Sequence, residues 1–415
     1  MRNSGFLWVV VGIMILLDIY IYQAIKVVLP TSSPRLRLTV IIIYWILSAV
    51  SVITLAVLPY LNYESLPRML RTYLFAIVVG LFFSKLLASL FLAMDDIRRG
   101  GMWLLGKLFS NPTTHNSGWA VGIPRSTFFS WLGLAAGGGL FGSLIYGFSN
   151  KYRYHVNRVP LSFENLPSAF KGMKVLQISD VHSGSFTDKK AVAHGIQLAL
   201  EQKPDLILFT GDLVNDRAVE MANYMDIFSQ LKAPMGVYST LGNHDYGDYV
   251  HWESTEVKEA NLDHLKRIHG ELGWRLLMNE HVVLEKDGQQ IALLGIENWG
   301  ARGNFPKYGK MDQAYAGAEN YPFKILMSHD PSHWDAQVRT EYPSIDLMLA
   351  GHTHGMQFGL EVPGFKWSPV QYIYKQWAGL YEEGKQKLYV NRGFGFIGYP
   401  GRVGILPEIT VIEFV

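Results

Sequence analysis

The amino-acid sequence predicts an N-terminal bundle of transmembrane α-helices followed by an α/β domain. Charged residues make up only 17% of the 415 residues, compared with about 25% in soluble proteins, and long stretches before Asn150 carry almost none. After Lys151, short apolar runs alternate with helical stretches, which indicates a β-sheet with helices on its faces. We expect a transmembrane region at 1–150, a linker at 151–171 and a second domain at 172–415.

Four apolar segments in the first region are each close to the ~20 residues that a helix needs to cross a membrane. The first has too long an apolar core for a signal peptide, and no small-residue cleavage site follows it. We therefore expect a multi-pass integral membrane protein. Lys and Arg are divided almost equally between the two sides, so charge does not decide the orientation, and a cytoplasmic second domain is our expectation. The segments are 6–28, 38–58, 72–94 and 126–148.

Two features of these segments allow more than one interpretation. The glycines at 137–139 and Gly142 permit either close helix packing or a locally weak helix. Asp95 and Asp96 follow the third segment, and we expect a solvated helix end there rather than a transport path.

Composition excludes several kinds of site. The chain has no cysteine, which removes disulfides, zinc–thiolate centres and thiol nucleophiles. Any metal site must use His, Asp, Asn or Glu. The net charge of +2 is small and no dense basic stripe is present, so no nucleic-acid partner is expected.

Polar residues follow five predicted strands of the second domain. The strands are 175–179, 206–210, 237–241, 323–327 and 345–350. Ligands of open α/β sheets bind beyond the carboxyl ends of the strands, so these polar residues should meet at one edge. They are Asp180, His182, Asp212, Asn243, His244, His329, His352 and His354. Helices are predicted at 189–202 and 218–231, a hairpin turn at Asp287-Gly288, and closing strands at 388–390 and 409–414.

These residue types at this spacing indicate a two-metal site. Two divalent cations ~3.5–4 Å apart can clamp a phosphate and activate water. Asp212 is the candidate bridging ligand because a carboxylate has two oxygens. Each pair, Asp180 with His182 and His352 with His354, stands at alternate positions and would share a face. Imidazole suits Mn, Fe, Zn or Ni, and we favour Mn. One such residue alone is usually structural, but five strand ends together indicate metal binding.

These motif blocks resemble the calcineurin-like metallophosphoesterase superfamily, in its membrane-anchored bacterial type, over residues 172–415. The resemblance implies a four-layer α/β/β/α sandwich and hydrolysis of a phosphodiester, pyrophosphate or phosphomonoester. It also implies His244 as the proton donor, with Asp212 as the second catalytic residue. By the same resemblance, one cation would be held by Asp180, His182, Asp212 and His354, and the other by Asp212, Asn243, His329 and His352.

The sequence departs from the protein Ser/Thr phosphatases of this superfamily. Those enzymes carry an Asp, followed by Arg and Gly, three places after the bridging Asp, where this chain has Asn215-Asp216-Arg217. A phosphoprotein substrate is therefore disfavoured, and either Asp216 or Asp245 could orient His244. The blocks look closer to those of bacterial membrane-associated phosphoesterases, some of which cleave the pyrophosphate of UDP-diacylglucosamine. We therefore expect a phosphorylated small-molecule or lipid substrate.

Alternative interpretations remain open from the sequence. The chain could be a catalytically silent membrane sensor or scaffold, although no motif residue is missing. A transport-type protein would need more charges within the spans than Asp18 and Lys85. Arg302, Arg392 and Arg402 could pair with a phosphate. Four aromatic residues could either line a substrate cleft or pack near the sheet edge: Trp299, Phe394, Phe396 and Tyr399.

Overall fold

A computed structural model describes most of the chain, which divides into two compact units. The units are Met1–Tyr146 and Gly147–Val415. The described residues are 4–30, 32–57, 60, 66–109, 125–303 and 305–415.

The N-terminal unit contains four helices that are long and apolar enough to cross a membrane among the described residues. This confirms the four predicted apolar helices. Apolar side chains lie on every side of most of each helix, and a helix that is apolar all round suits burial in lipid. The helices are α1 (Ser4–Val28), α2 (Pro34–Val57), α3 (Arg68–Phe109) and α4 (Arg125–Gly147).

The prediction that Asp95 and Asp96 mark a helix end is wrong. Helix α3 continues past both residues to Phe109. The Asp95 carboxylate accepts a hydrogen bond from the Arg98 guanidinium, 2.7 Å away and one turn along the helix. An ion pair at this spacing is compatible with helical backbone, so the polar residues lengthen the helix instead of ending it.

A buried ion pair joins α1 and α3. Lys85 Nζ lies 2.5 Å from Asp18 Oδ1, and the Ser48 hydroxyl of α2 donates to the same oxygen at 2.6 Å. Both charged side chains are almost fully buried. Pairing and hydrogen bonding of this kind are what make charges tolerable within a bundle in lipid.

The glycines of α4 divide into two groups. A Cβ added at Gly137 would lie 2.5 Å from the Ser84 carbonyl oxygen and 2.9 Å from the Ala88 Cβ. Gly137 therefore permits close packing of α4 on α3, which was one of the two interpretations of these glycines. A Cβ at Gly139 or Gly142 would meet no atom within 4 Å, so those glycines do not serve this contact.

The C-terminal unit alternates strands and helices through most of its length. Its strands are β1 (His155–Leu161), β2 (Lys174–Ile178), β3 (Leu206–Thr210), β4 (Val237–Thr240), β5 (Arg275–Leu276), β6 (Glu280–Lys286), β7 (Gln289–Gly295), β8 (Lys324–Met327), β9 (Leu347–Ala350), β10 (Leu360–Val362), β11 (Phe365–Trp367), β12 (Gly379–Glu383), β13 (Gln386–Val390) and β14 (Glu408–Phe414). Its α-helices are α5 (Lys189–Leu200), α6 (Met225–Phe228), α7 (Thr255–Glu271), α8 (Met311–Tyr315) and α9 (Arg339–Glu341).

Two six-stranded mixed sheets and the helices outside them form four layers. The strand orders are β1-β14-β2-β3-β4-β5 and β12-β13-β9-β8-β7-β6. One apolar cluster joins the two sheets and includes Val175 and Leu293. A second cluster packs α5 and α7 on the first sheet, and a third covers the other face of the second sheet around Trp334. The predicted α/β/β/α sandwich is confirmed.

The structure bears on three local predictions, for a turn, a linker and a helix. The hairpin turn at Asp287-Gly288 is confirmed between β6 and β7. The linker expected at 151–171 contains β1, which pairs in parallel with β14 along seven residues. Val159 and Leu161 of β1 pack in the cluster between the two sheets, and Val156 packs on the opposite face. The helix expected at 218–231 is broken where Tyr224 leaves helical conformation (φ −125°) and packs its ring on Phe186.

Candidate metal centre

The carboxyl ends of β2, β3, β4, β8 and β9 lie at one edge of the sandwich and bring the predicted polar residues together. Two groups of three side chains each have ligand atoms within 4.8 Å of one another. All of these side chains are buried except His352, which is partly exposed. The groups are Asp180 with His182 and His354, and Asp212 with His329 and His352.

The first group combines one carboxylate with two imidazoles. The Nε2 atoms of His182 and His354 are 3.0 Å apart, and His354 Nε2 lies 3.3 Å from Asp180 Oδ1. Both oxygens of Asp180 also accept from the backbone N–H of His352 at 3.0 Å. The two predicted alternate-position pairs therefore meet here, across β2 and β9.

Asp212 contacts a member of each group. Its Oδ2 atom lies 3.5 Å from His182 Nε2 and 3.2 Å from His329 Nε2. Its other oxygen accepts from the backbone N–H of His244 at 2.9 Å. Asp212 therefore stands between the two groups, where its carboxylate would contact a cation held by either of them.

Asn243 and His352 complete the second group. The amide oxygen of Asn243 lies 2.8 Å from His352 Nδ1, so an oxygen and a nitrogen ligand atom point to the same place. His329 Nδ1 donates to the carbonyl of Thr210 at 2.7 Å. That bond fixes the ring so that Nε2 faces Asp212, which is the arrangement usual for metal-binding histidines.

Burial sets the charges of the first group. It raises the pKa of the Asp180 carboxyl to about 6 and lowers that of the His182 imidazole to about 3. It also lowers the pKa of His354 well below its ordinary value. The imidazoles are thus neutral near pH 7, which is the form that binds metal.

The second group contains a buried ion pair. Burial disfavours charge on His329, but the carboxylate of Asp212 outweighs this effect and raises the pKa of His329 to about 10. Burial likewise opposes ionisation of Asp212, whereas His329 and His244 hold its pKa well below the ordinary value. A proton on His329 therefore occupies the position where a cation would balance the Asp212 charge.

The residues present fit a pair of divalent cations. Imidazole nitrogens, two carboxylates and an amide oxygen form the mixed donor set that suits Mn, Fe or Zn, and a cation would take the place of the proton on His329. Hydrogen bonds to backbone groups orient Asp180, Asp212 and His329. The donor set is therefore consistent with such ions.

The ring of His244 is held by a main-chain group, so the sequence hypothesis that Asp216 or Asp245 orients it is wrong. His244 Nδ1 donates to the carbonyl oxygen of Asn215 at 2.8 Å. Asp245 instead accepts from the backbone N–H groups of Asp212 and Gly242 at 2.9 and 2.8 Å. It therefore fixes the turn that carries the site.

Two of the three arginines proposed for phosphate contact have other partners. Arg392 makes ion pairs with Glu408 and Glu361, both at 2.5 Å. Arg402 is fully buried and donates to His354 Nδ1 at 3.2 Å and to the Arg392 carbonyl at 2.7 Å. Phe394 is also fully buried, in the apolar core, so packing is its role.

Two tyrosines that sequence reasoning missed stand beside the ligands. The Tyr374 hydroxyl lies 2.8 Å from His352 Nε2 and 3.4 Å from Asp330 Oδ2. The Tyr249 hydroxyl accepts from the Asn243 amide at 2.9 Å. Neither residue stands at a strand end, so the pattern that located the ligands could not locate them.

Comparison with known proteins gives matches to both units. The family model described as "Probable Calcineurin-like phosphoesterase, transmembrane domain" matches residues 1–151, and that described as "Calcineurin-like phosphoesterase" matches 173–356. The uncharacterised metallophosphoesterase YkuE of Bacillus subtilis is 31% identical over 286 residues, which cover 67% of this chain and 90% of that relative. The chain belongs to the calcineurin-like metallophosphoesterase family.

Two further relatives carry more specific names. The phosphodiesterase YaeI of Escherichia coli is 30% identical, over 58% of this chain and 82% of the relative. The UDP-2,3-diacylglucosamine pyrophosphatase LpxG of Chlamydia muridarum is 26% identical, over 57% of this chain and 81% of the relative. With its four apolar helices this metallophosphoesterase is a membrane protein, and its family is one of metal-dependent hydrolases of phosphoester bonds.

Proposed function

We propose that the chain is a multi-pass membrane enzyme that uses two divalent cations, Mn²⁺ favoured, to hydrolyse a phosphodiester, pyrophosphate or phosphomonoester of a lipid-linked or small molecule. The observation that carries the proposal is the position of Asp212, with one oxygen near His182 and His329 together. One cation would be held by Asp180, His182, Asp212 and His354. The second would be held by Asp212, Asn243, His329 and His352.

The residues of the site have distinct roles in this proposal. When bound, the cations would neutralise the phosphate charge and activate water. His244 would donate a proton to the leaving oxygen through Nε2, because its Nδ1–H is already committed to the Asn215 carbonyl. That carbonyl would also stabilise the imidazolium form. Asp245 would keep the loop of Asp212 in place through the backbone.

A lipid-linked substrate is supported by two independent facts. The N-terminal helices hold the catalytic unit at a membrane, which raises the effective concentration of any substrate in that membrane. One relative, LpxG, is named for a pyrophosphate of a diacylated sugar. We also propose that the catalytic unit faces the cytoplasm. The silent-scaffold alternative is not favoured, because six of the seven predicted metal-binding residues form two close groups and the seventh, Asn243, contacts His352.

The decisive experiment compares the full chain with an Asp212→Asn variant. We expect the purified protein in nanodiscs to bind about two Mn²⁺ per chain by elemental analysis and to hydrolyse bis-p-nitrophenyl phosphate. Loss of the shared carboxylate should remove most of the metal and reduce the rate by at least about 100-fold. The rates of the parent and the variant should then be compared on phosphodiesters, pyrophosphates and phosphomonoesters, each with and without a lipid group in the substrate.

The matched control is Asp263→Asn. Asp263 lies on α7 with its side chain 64% exposed, so this variant should keep both metals and the full rate. If the parent protein binds no divalent metal and hydrolyses none of these esters, the scaffold interpretation replaces the enzyme.

A further inference from the structure

An apolar surface lies on the segment that leaves the metal site after His354 and returns to it at Tyr374. Eleven large apolar or aromatic residues of Gly147–Val415 are exposed in the described part of that unit, and six of them lie within residues 356–373. Their exposed fractions range from 47% to 77%. Such a concentration marks an interaction surface. The six are Met356, Leu360, Val362, Phe365, Tyr372 and Ile373.

The short hairpin of β10 and β11 has an apolar outer face. Leu360 pairs with Trp367, and Val362 pairs with Phe365. Since directly opposed residues and residues two apart share one side of a hairpin, these four side chains lie together. Leu360, Val362 and Phe365 are each about half exposed. The face is therefore turned away from the protein interior.

The other face of the hairpin is polar and is attached to the body of the unit. Glu361 forms a two-bond ion pair with the Arg392 guanidinium, at 2.5 and 3.1 Å. Lys366, opposite Glu361, donates to the Ala378 carbonyl at 2.5 Å and lies over the Tyr381 ring. This orientation reverses the usual one, in which polar residues meet water and apolar residues meet the core.

We propose that the outer face of this hairpin binds the surface of a lipid bilayer. The chain's own apolar helices place it at a membrane, so a bilayer is the apolar partner at hand. The aromatic composition also suits the membrane interface, where rings with one polar edge are favoured. Tyr372 is 77% exposed, and the Trp367 indole N–H donates to its hydroxyl at 3.4 Å.

The position of the hairpin in the chain connects this surface to the metal site. Met356 is exposed two residues after His354, and Ile373 is exposed immediately before Tyr374. The Tyr374 hydroxyl in turn contacts His352. Contact with a bilayer would therefore bring a lipid phosphate close to the ligands. This consequence for substrate access rests on the function proposed above, whereas binding of the lipid surface does not.

The test uses a fluorescent reporter on the full chain. Because the protein has no cysteine, Val362→Cys gives a single labelling site for a polarity-sensitive fluorophore. The labelled protein is placed in nanodiscs of phosphatidylcholine and phosphatidylglycerol, with or without nitroxide-labelled lipid. We expect nitroxide lipid to quench the reporter at least about twofold.

Val283→Cys is the matched control. Val283 is 39% exposed on β6, at the edge of the sheet opposite β12, the strand that the hairpin contacts through Lys366 and Tyr381. Its reporter should be quenched little. Equal quenching at the two positions, or none at Val362, would overturn the proposal. A blue-shifted reporter at Val362 that nitroxide lipid does not quench would also overturn it, since the occupant would then be protein, such as a second copy.

A second measurement separates this proposal from the enzymatic one. Leu360→Ser, Val362→Ser and Phe365→Ser are combined in one variant, and a tryptic digestion pattern like that of the parent protein establishes folding. The variant should keep its rate on bis-p-nitrophenyl phosphate and lose at least about half of the quenching of a reporter at Ile373→Cys. Unchanged quenching would contradict the lipid contact. Failure of the parent to hydrolyse the ester would contradict only the proposed enzyme.

Discussion

Five proposed metal ligands have backbone conformations that are unusual for residues with a side chain. Asp180, His182, Asp212, His352 and His354 all have φ between 48° and 70°, in the left-handed region. Each such residue costs on the order of 1–3 kcal/mol, and strain of this kind concentrates at functional sites. The hydrogen bonds around the site oppose this cost. The backbone at these residues therefore follows the geometry of the site and not the ordinary preference of Asp and His for negative φ.

The role proposed for His244 can be tested without disturbing the ligands. In a His244→Asn variant the metal content should stay unchanged, because His244 belongs to neither of the two ligand groups. The rate on a substrate with a poor leaving group should fall by about 10²–10⁴-fold, the usual contribution of a general acid. Steady-state kinetics and elemental analysis on the same sample provide both readings.

The control for this variant is His264→Asn, an exposed substitution on α7 that should change neither reading. A His244→Asn protein with full metal content and the full rate would remove His244 from the mechanism. A leaving group that needs no proton should restore much of the lost rate if His244 is the acid.

A second prediction concerns His269, which lies outside the metal site. Its ring is fully buried beside Phe209 and Trp274, and within the described residues neither ring nitrogen has a hydrogen-bond partner. Burial lowers its pKa from 6.5 to about 3. The unfolded chain therefore binds a proton that the folded chain excludes. This contribution to stability is complete above about pH 6.5 and declines as the pH falls towards 3.

In a His269→Phe variant this decline should be absent. Between pH 6.5 and 5 the parent's free energy of unfolding should fall by up to about 1.4 kcal/mol per pH unit more than that of the variant. Chemical unfolding followed by tryptophan fluorescence measures the difference, and His264→Phe serves as the exposed control. Parallel pH profiles for parent and variant would contradict the assignment.

At the scale of elements, the contact between α3 and α4 depends on one glycine. A Gly137→Ala variant would place a methyl group 2.5 Å from the Ser84 carbonyl oxygen, so the helices must separate. Alanine favours helix by about 1 kcal/mol over glycine, but lost packing should outweigh that gain. We expect a lower melting temperature of the N-terminal unit in nanodiscs.

Gly139→Ala is the matched control on the same helix. No atom lies within 4 Å of an added Cβ there, so the variant should be neutral or slightly more stable. If both variants melt alike, the close approach at Gly137 does not stabilise the bundle.

Element boundaries were the least predictable part of the chain. The apolar segments located all four long helices, but α3 extends about fifteen residues beyond the apolar stretch because i,i+3 ion pairs also suit helical backbone. The periodic pattern at 218–231 predicted one helix, although Tyr224 interrupts it to reach Phe186. Local sequence does not reveal such a tertiary contact.

At the scale of the whole molecule, an even number of spanning helices places both ends of the bundle on one side. With the catalytic unit in the cytoplasm, Lys385→Cys should resist a membrane-impermeant maleimide in sealed cells and react after lysis. The Lys385 side chain is 88% exposed, and no native cysteine competes. The opposite pattern is expected for Ser33→Cys, an exposed position between α1 and α2.

The two labelling patterns test separate parts of the prediction. Exchange of the patterns would reverse the orientation and leave the even number of spans intact. Labelling of both positions from the same side would instead contradict that number.

The sequence by itself determined the fold class and predicted the residues that we propose for the metal centre. Membrane spans are visible because apolar length is a local property. The strand-end residues are visible because the carboxyl ends of parallel strands meet at one edge, so five distant motifs had to converge. The resemblance of those motifs added the layer order, which the two sheets confirm.

Tertiary structure alone decided the contacts that surround those residues. It placed the Asn215 carbonyl on His244, the Tyr374 hydroxyl on His352, and Arg402 under His354 rather than on a substrate. It also turned the apolar face of the β10–β11 hairpin outwards. Each of these outcomes depends on which groups from distant segments become neighbours, and side-chain type and spacing carry no information about that.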